Sequence, residues 1–338
     1  MAVESDRSAA LLAGEAALRR GAWEEARDHF DVVLRDGESA VAWSGRSRAV
    51  WWLGDTDGSL AARERAYRAH RAAGEDCAAA RQAAWHALDE WEMRGNDAVA
   101  EAWLGRAREL AQRGCACVDR GWVTLIDAEF ALFLRGDLEA AIALATEAIA
   151  LGEELGAEEL GVTGGAVLGS ALVARGDVEA GVRRLEEACT RGVGEAGDAL
   201  APGWALCHTV TSCALVGDFA RARQWCRMLR AFATEWSSPA FSAVCRTAYG
   251  SVLATAGKWR AAEDELRAAM REFTAVRPAL VAPSAVRLGE LRARQGREDE
   301  ARRLFERGRP HPLAFIGLGR LDLEAGDPAS AADAAERV

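Results

Sequence analysis

Apolar residues recur along this chain at helical spacing. Between positions 137 and 151, Leu138, Ala141, Ile142, Ala145, Ala148 and Ile149 fall on one stripe, the pattern of an amphipathic helix with one buried face. No segment alternates with period two over a useful length, so no sheet is expected. Composition points the same way. Half the residues are hydrophobic, while Pro numbers only 7 and Tyr only 2, a mix that favours helix over strand.

One element returns throughout. A Gly is followed often by Asp or Lys and then by a new helical stripe, at Gly21, Gly54, Gly95, Gly136, Gly176, Gly217, Gly257, Gly296 and Gly326. Most intervals are about 40 residues, and the first and last are nearer 30. Five positions after each Gly stand Ala26, Ser59, Ala100, Ala141, Gly181, Ala222, Ala262, Ala301 and Ala331. All are small. Two antiparallel helices approach closely only where side chains are short, so this column marks the crossing inside each repeat. A second column, seven positions before each Gly, reads Gly14, Ser47, Leu88, Glu129, Gly169, Val210, Gly250, Gly289 and Gly319. It is small at six positions. The Gly itself suits a helix end that needs positive φ. Asp137, Asp177, Asp218 and Asp327, which come next, can cap the following helix. Each unit is therefore helix A, tight turn, helix B and a looser link. The links include Gly74-Glu75-Asp76, Gly114 to Val118, Gly192 to Ala199, Ser237-Ser238-Pro239 and Arg309 to Pro312. The expectation is all-α: a single array over residues 1–338, with about nine hairpins in a right-handed superhelix (solenoid) and a concave face made mostly by A helices. At 338 residues the chain exceeds one usual compact core, which suits an open array.

Charge and cysteine usage narrow the function. Net charge is -10, and no basic stripe stands out, which argues against direct nucleic-acid binding. Lys258 is the only Lys, which reads as coding bias. The N-terminus Met1-Ala2-Val3-Glu4-Ser5-Asp6 has no basic region leading into an apolar core. No run reaches the length of a membrane span. Cys77, Cys115, Cys117, Cys189, Cys207, Cys213, Cys226 and Cys245 are scattered through helical segments. A cytoplasmic setting fits this usage best.

Gly14 with Gly21-Ala22-Trp23-Glu24-Glu25-Ala26 and Phe30 resembles the tetratricopeptide repeat, as does Gly289 with Gly296 to Ala301 and Phe305. The period here is longer than that family's 34, which implies longer helices. Trp51-Trp52-Leu53-Gly54-Asp55-Thr56-Asp57-Gly58, Ala222-Arg223-Gln224-Trp225-Cys226 and His311-Pro312-Leu313-Ala314 look like the repeat region of actinobacterial LuxR-family regulators. In that family such repeats precede a helix-turn-helix DNA-binding domain, and some members carry an ATPase domain. No G-x-x-x-x-G-K-[ST] loop occurs in this chain. Pro283 to Phe305 has a helix-turn-helix look but sits in phase with the repeat. The chain reaches Val338 inside the helix after Gly326, so an uncapped last hairpin is expected, as in a fragment or a shortened relative.

The tetratricopeptide resemblance places concave positions near ten and six residues before the turn Gly. At ten before stand Ser44, Trp85, Ile126, Ala166, Cys207, Thr247 and Val286; at six before stand Arg48, Asp89, Phe130, Ser170, Thr211, Ser251 and Glu290. This set lacks the Lys, Arg and Asn clamp that peptide-binding members use for a terminal carboxylate. Its aromatic and polar mix suits a small molecule or a short amphipathic peptide. Nine before the Gly, His86, Asp127, His208 and Arg287 add polar groups. His86 and Asp127 belong to neighbouring A helices and could meet, either as ligand contacts or as a bond between repeats. Among the twelve Trp, Trp85 and Trp204 are the best candidates for a ligand contact, with core packing as the ordinary role of each. Candidate groove residues are thus Trp85, His86, Asp89, Asp127, Phe130, Trp204, His208, Thr211, Arg287 and Glu290.

Cys207, His208, Cys213 and Cys226 match no closed zinc pattern. Cys207 and Cys213 lie about 120° apart around a helix, so buried thiols are expected, and no metal or cofactor. Cys115 and Cys117 lie at a link, where nothing in the sequence shows a lowered thiol pKa. Catalytic motifs such as H-E-x-x-H and G-x-S-x-G are missing. The expected function is a sensor or scaffold, tied by resemblance to transcriptional regulation, that takes a protein, peptide or small-molecule effector in its concave groove. A second copy of the chain is a further candidate partner, while nucleic acid and membrane are not. Alternatives are a freestanding adaptor and, less favoured, a pocket-based enzyme of a biosynthetic pathway.

Overall fold

A computed structural model describes residues 2–114, 116–193, 199–309 and 311–337. Every regular element in them is helical. The A helices are α1 (Ala2–Arg19), α3 (Ala40–Trp52), α5 (Asp76–Arg94), α7 (Val118–Glu129), α9 (Glu158–Arg175), α11 (Leu200–Leu215), α13 (Pro239–Thr255), α15 (Ala282–Arg294) and α17 (Pro312–Glu324). The B helices are α2 (Trp23–Arg35), α4 (Thr56–Ala72), α6 (Asp97–Ala111), α8 (Leu138–Leu155), α10 (Val178–Val193), α12 (Phe219–Glu235), α14 (Trp259–Val276), α16 (Glu298–Arg307) and α18 (Pro328–Ala335). These are the nine hairpins expected from the repeat. Three of the expected links contain residues outside the described set, namely Cys115, 194–198 and Pro310, and Val338 lies outside it too. The helix-turn-helix look of Pro283 to Phe305 resolves into the hairpin α15–α16.

The turns form for the expected reason. All nine turn glycines have positive φ, between 64° and 102°, a region costly for any residue with a Cβ. Asp137, Asp218 and Asp327 cap α8, α12 and α18 by accepting from the backbone N–H three residues on, and Asp55 caps α4 in the same way. Asp177 instead accepts from the Arg175 guanidinium.

The two small-residue columns interlock. A Cβ added at Gly14 would stand 2.8 Å from the Phe30 ring, at Gly169 2.7 Å from Leu185, at Gly250 2.6 Å from Leu266, and at Gly289 2.8 Å from Phe305. Each partner lies four residues after the small residue of the other column. Large side chains on the B helices thus fill notches on the A helices, which gives these four hairpins their close crossing.

Three positions break the second column; Val210 does so in an ordinary five-back turn, whereas for Leu88 and Glu129 the structure shows why. In seven of the nine turns, the residue after the Gly donates its N–H to the carbonyl five positions back, as from Asp55 to Val50 and from Asp177 to Leu172. Asn96 and Asp137 instead donate six positions back, to Glu90 and Ala131. Each of those A helices carries one extra residue before its turn. In the fourth repeat the excess forms a π-helical turn, Phe130–Leu134. Stepping back one position brings Ala87 and Ala128, both fully buried, into the column. Glu129 is thereby released to face inward.

Consecutive A helices pack on one another from α5 to α17, and α1 packs on α3. Among the described residues only α3 and α5 stand apart in this inner row. The array also curls back on itself. Trp23 donates its indole N–H to the Trp236 carbonyl at 3.0 Å, and Thr56 Oγ1 lies 3.3 Å from the Val276 carbonyl. The Trp23 ring stacks on Trp52 at 4.6 Å, and Trp52 meets Phe241 at 5.8 Å. The turns of the first three hairpins therefore rest on the links α12–α13 and α14–α15, including the short 3-10 turn Pro278–Val281, which packs on α5. One buried apolar cluster runs through both ends of the contact.

Candidate functional site

The gap between α3 and α5 is a cavity of about 210 Å³ inside the superhelix. Ser44, Arg48, Trp51 and Trp52 of α3 form one wall, and Ala78, Arg81, Gln82 and Trp85 of α5 form the other. Glu15 of α1, Arg63 and His70 of α4, Asp119 of α7 and Leu200 of α11 complete it. Arg63 reaches inward from a B helix. Its guanidinium lies 5.0 Å above the Trp85 ring and donates through Nε to Asp89 at 2.5 Å. Arg81 lies over Trp122 at 5.2 Å and meets Asp119 at 3.3 Å. Arg48 meets Glu15 at 3.4 Å. The Arg81–Asp119 pair is longer than the 2.7–2.9 Å of a tight charge-assisted bond. Burial pushes the Arg81 guanidinium pKa down, and the Asp119 carboxylate offsets this only in part.

Two of these lining residues each carry a buried polar atom with no hydrogen-bond partner among the described residues: Trp51 Nε1 and Gln82 Oε1. Both side chains are more than nine-tenths buried. Trp51 also serves the closure of the superhelix. The Arg277 guanidinium lies 4.4 Å from its ring centre and donates to Glu92 Oε2 at 2.6 Å. Burial raises the Glu92 pKa, against the pull of Arg277.

Beyond Trp85 the lumen continues as an aromatic and polar cluster. Trp85 meets Trp122 at 5.4 Å and Trp204 at 5.8 Å. Trp204 Nε1 donates to Glu129 Oε1 at 2.5 Å, and His208 Nε2 lies 2.9 Å from the same oxygen. His208 Nδ1 lies 2.8 Å from Ser170 Oγ. Ser170, His208 and Glu129 are the residue types of a hydrolytic relay. Ser170 nevertheless sits in the body of α9, 6% exposed, where the neighbouring N–H groups are committed to the helix rather than to an oxyanion.

The structure thus brings Trp85, Trp204 and His208 together and separates the other sequence candidates from them. Asp89 is fully buried against α4, accepting from Ser59 and Arg63. His86 packs on Trp103 of α6 at 4.3 Å, and burial pushes its pKa down to about 4. Asp127 does not pair with His86. It accepts a bidentate pair from Arg108 and a further bond from Arg135, so it ties α6 to α7. Phe130 is core, against Trp91. Thr211 is exposed and bonds carbonyls of its own helix. Arg287 and Glu290 form a pair along α15. The extra residue in α5 and α7 explains much of this: counting from the turn Gly lands one step off the inward face in those two helices. Sequence reasoning missed Arg63, Arg81, Gln82, Glu129 and Arg277. Glu129 alone carried a signal, as the one charge in a column of small residues.

No protein-family model matches the chain, and no curated protein is similar to it in sequence. Solved structures do resemble it. A Rap protein complexed with Competence and Sporulation Factor aligns over 98% of this chain and 96% of its own, with a TM-score of 0.65 at 12% identity. The fold is tetratricopeptide-like. A human IFIT1 dimer with PPP-AAAA shares the architecture over 93% of this chain and 67% of its own (TM-score 0.54, 16% identity). So does a signal-transduction ATPase with a tetratricopeptide repeat sensor from Pyrococcus horikoshii, over 94% and 52% (TM-score 0.53, 11% identity). No helix of this array, among the described residues, is long and apolar enough to cross a membrane.

Proposed function

We propose that this chain is a sensor module that holds a small effector or a short peptide in the lumen between α3 and α5, and that occupancy acts on the contact between its two ends. Trp51 carries the reading. The same ring walls the cavity and supports Arg277, which bridges to Glu92 across the superhelix. A ligand that engages Trp51 changes the stability of that bridge, and differential affinity for two arrangements is what couples a site to a response. The Rap structure, with its bound factor, supports a ligand for this architecture. The likeness of 51–58, 222–226 and 311–314 to LuxR-type repeats supports a regulatory setting for the response.

Native mass spectrometry of the full chain, as purified and after incubation with a small-molecule and peptide library, tests this. A Ser44→Trp variant fills the cavity while leaving the outer surface alone. The expected result is a bound mass on the native chain that is lost in the variant. Equal binding by both, or no bound mass from any source, contradicts the proposal.

A further inference from the structure

The cavity's chemistry specifies its ligand more closely than its shape does. At about 210 Å³ the cavity is smaller than the ~300 Å³ or more of pockets that hold drug-sized ligands. The occupant is therefore a monomer. The walls carry both signs of charge, with Arg81 cationic and Asp119 anionic. Arg63 is already committed to Asp89. A ligand of one sign would leave one set facing a like charge, whereas a ligand with both signs side by side meets both. Trp51 Nε1 is an unused donor and Gln82 Oε1 an unused acceptor, each on a side chain over nine-tenths buried. A buried polar atom without a partner is costly, and a side-chain turn that brings either atom onto a polar ligand removes that cost. Trp52 and Trp85 supply an apolar surface beside these groups.

We infer that the lumen cavity binds a free α-amino acid with an apolar side chain. Its carboxylate lies toward Arg81, its ammonium toward Asp119, and its side chain against Trp52 and Trp85, with the Trp51 indole and the Gln82 amide beside the polar end. This rests on the lumen reading above and names the ligand class for it. Desolvation of Arg81 adds support, since a carboxylate relieves a guanidinium that one loose ion pair leaves undercompensated.

The test is calorimetric titration of the full chain with L-leucine, L-methionine and L-phenylalanine, alongside isoamylamine and N-acetyl-L-leucine. The first analogue lacks the carboxylate and the second lacks the ammonium. At least one amino acid is expected to bind with Kd of about 1 mM or tighter. Both analogues should lose about tenfold or more. Arg81→Gln and Gln82→Leu should each weaken the amino acid by a similar factor in chains that melt at the native temperature. The analogue comparison stands even if a variant fails to fold. Binding of isoamylamine or N-acetyl-L-leucine as tight as that of leucine overturns the inference, as does no binding by any of the three amino acids. If the amino acids fail while mass spectrometry finds a ligand that Ser44→Trp excludes, this inference falls and the lumen reading stands.

Discussion

Arg277 at the end of α14 donates to Glu92 on α5 at 2.6 Å, across 185 positions of sequence. Both side chains lie deep inside the superhelix, 11% and 17% exposed. Removing one partner of such a pair leaves the other charge desolvated. Arg277→Gln should therefore cost about 3 kcal/mol, the lower end for a buried pair because water still touches the lumen side. Chemical denaturation reads the loss, and small-angle scattering should show an expanded particle. Unchanged stability and dimensions would mean that the bridge does not hold the two ends together.

His86 predicts an acid limb of stability. Burial against α6 pushes its pKa from 6.5 down to about 4, so the fold keeps the ring neutral. The unfolded chain takes up the proton first as pH falls. Stability is full above pH 6.5 and declines between about 6.5 and 4, by roughly 3 kcal/mol in total. The raised pKa of Glu92 works the other way, because protonation below that value relieves a buried charge. Denaturation curves across this window should flatten in His86→Phe, which keeps a ring against Trp103. An unaltered slope would remove His86 as the cause.

The hairpin crossings predict a contrast between two glycines. A Cβ on Gly181 would stand 2.6 Å from the Gly169 carbonyl and 2.8 Å from the Val173 N. Both are backbone atoms of a packed helix and cannot yield. Gly181→Ala should destabilise by about 1–3 kcal/mol. Gly105 lies within α6 with nothing within 4 Å of an added Cβ, so Gly105→Ala should stabilise by about 0.5–1 kcal/mol through helix propensity. Thermal melts of the two variants should move in opposite directions.

The repeat was legible because its causes are local. Positive φ at Gly136 or Gly257, a cap from Asp137 and a short side chain at Ala141 or Ala262 each depend on a few neighbouring residues. The small column even exposed its own irregularity at Leu88 and Glu129, although the extra residue behind it became visible only through the hydrogen bonds of Asn96 and Asp137. The site was less legible because curvature makes it. Trp23 and Trp236 meet 213 positions apart, and no pattern along the chain records that. The parting of α3 from α5 is likewise a property of stacking. Trp85 was marked by its column, whereas Gln82 and Arg81 became site residues only when a cavity formed beside them.

An enclosed lumen requires the two ends of the array to meet around it. Pulsed electron paramagnetic resonance between nitroxides at positions 57 and 274 tests this directly. Non-canonical amino acids can carry the labels, which leaves the eight cysteines alone. Position 57 follows Thr56, whose hydroxyl lies 3.3 Å from the Val276 carbonyl, and position 274 precedes Val276 on α14. One short, narrow distance is expected in the native chain, lengthened in Arg277→Gln. A long and broad distribution in the native chain would show an open superhelix, with no enclosed lumen and no bridge for a ligand to act on.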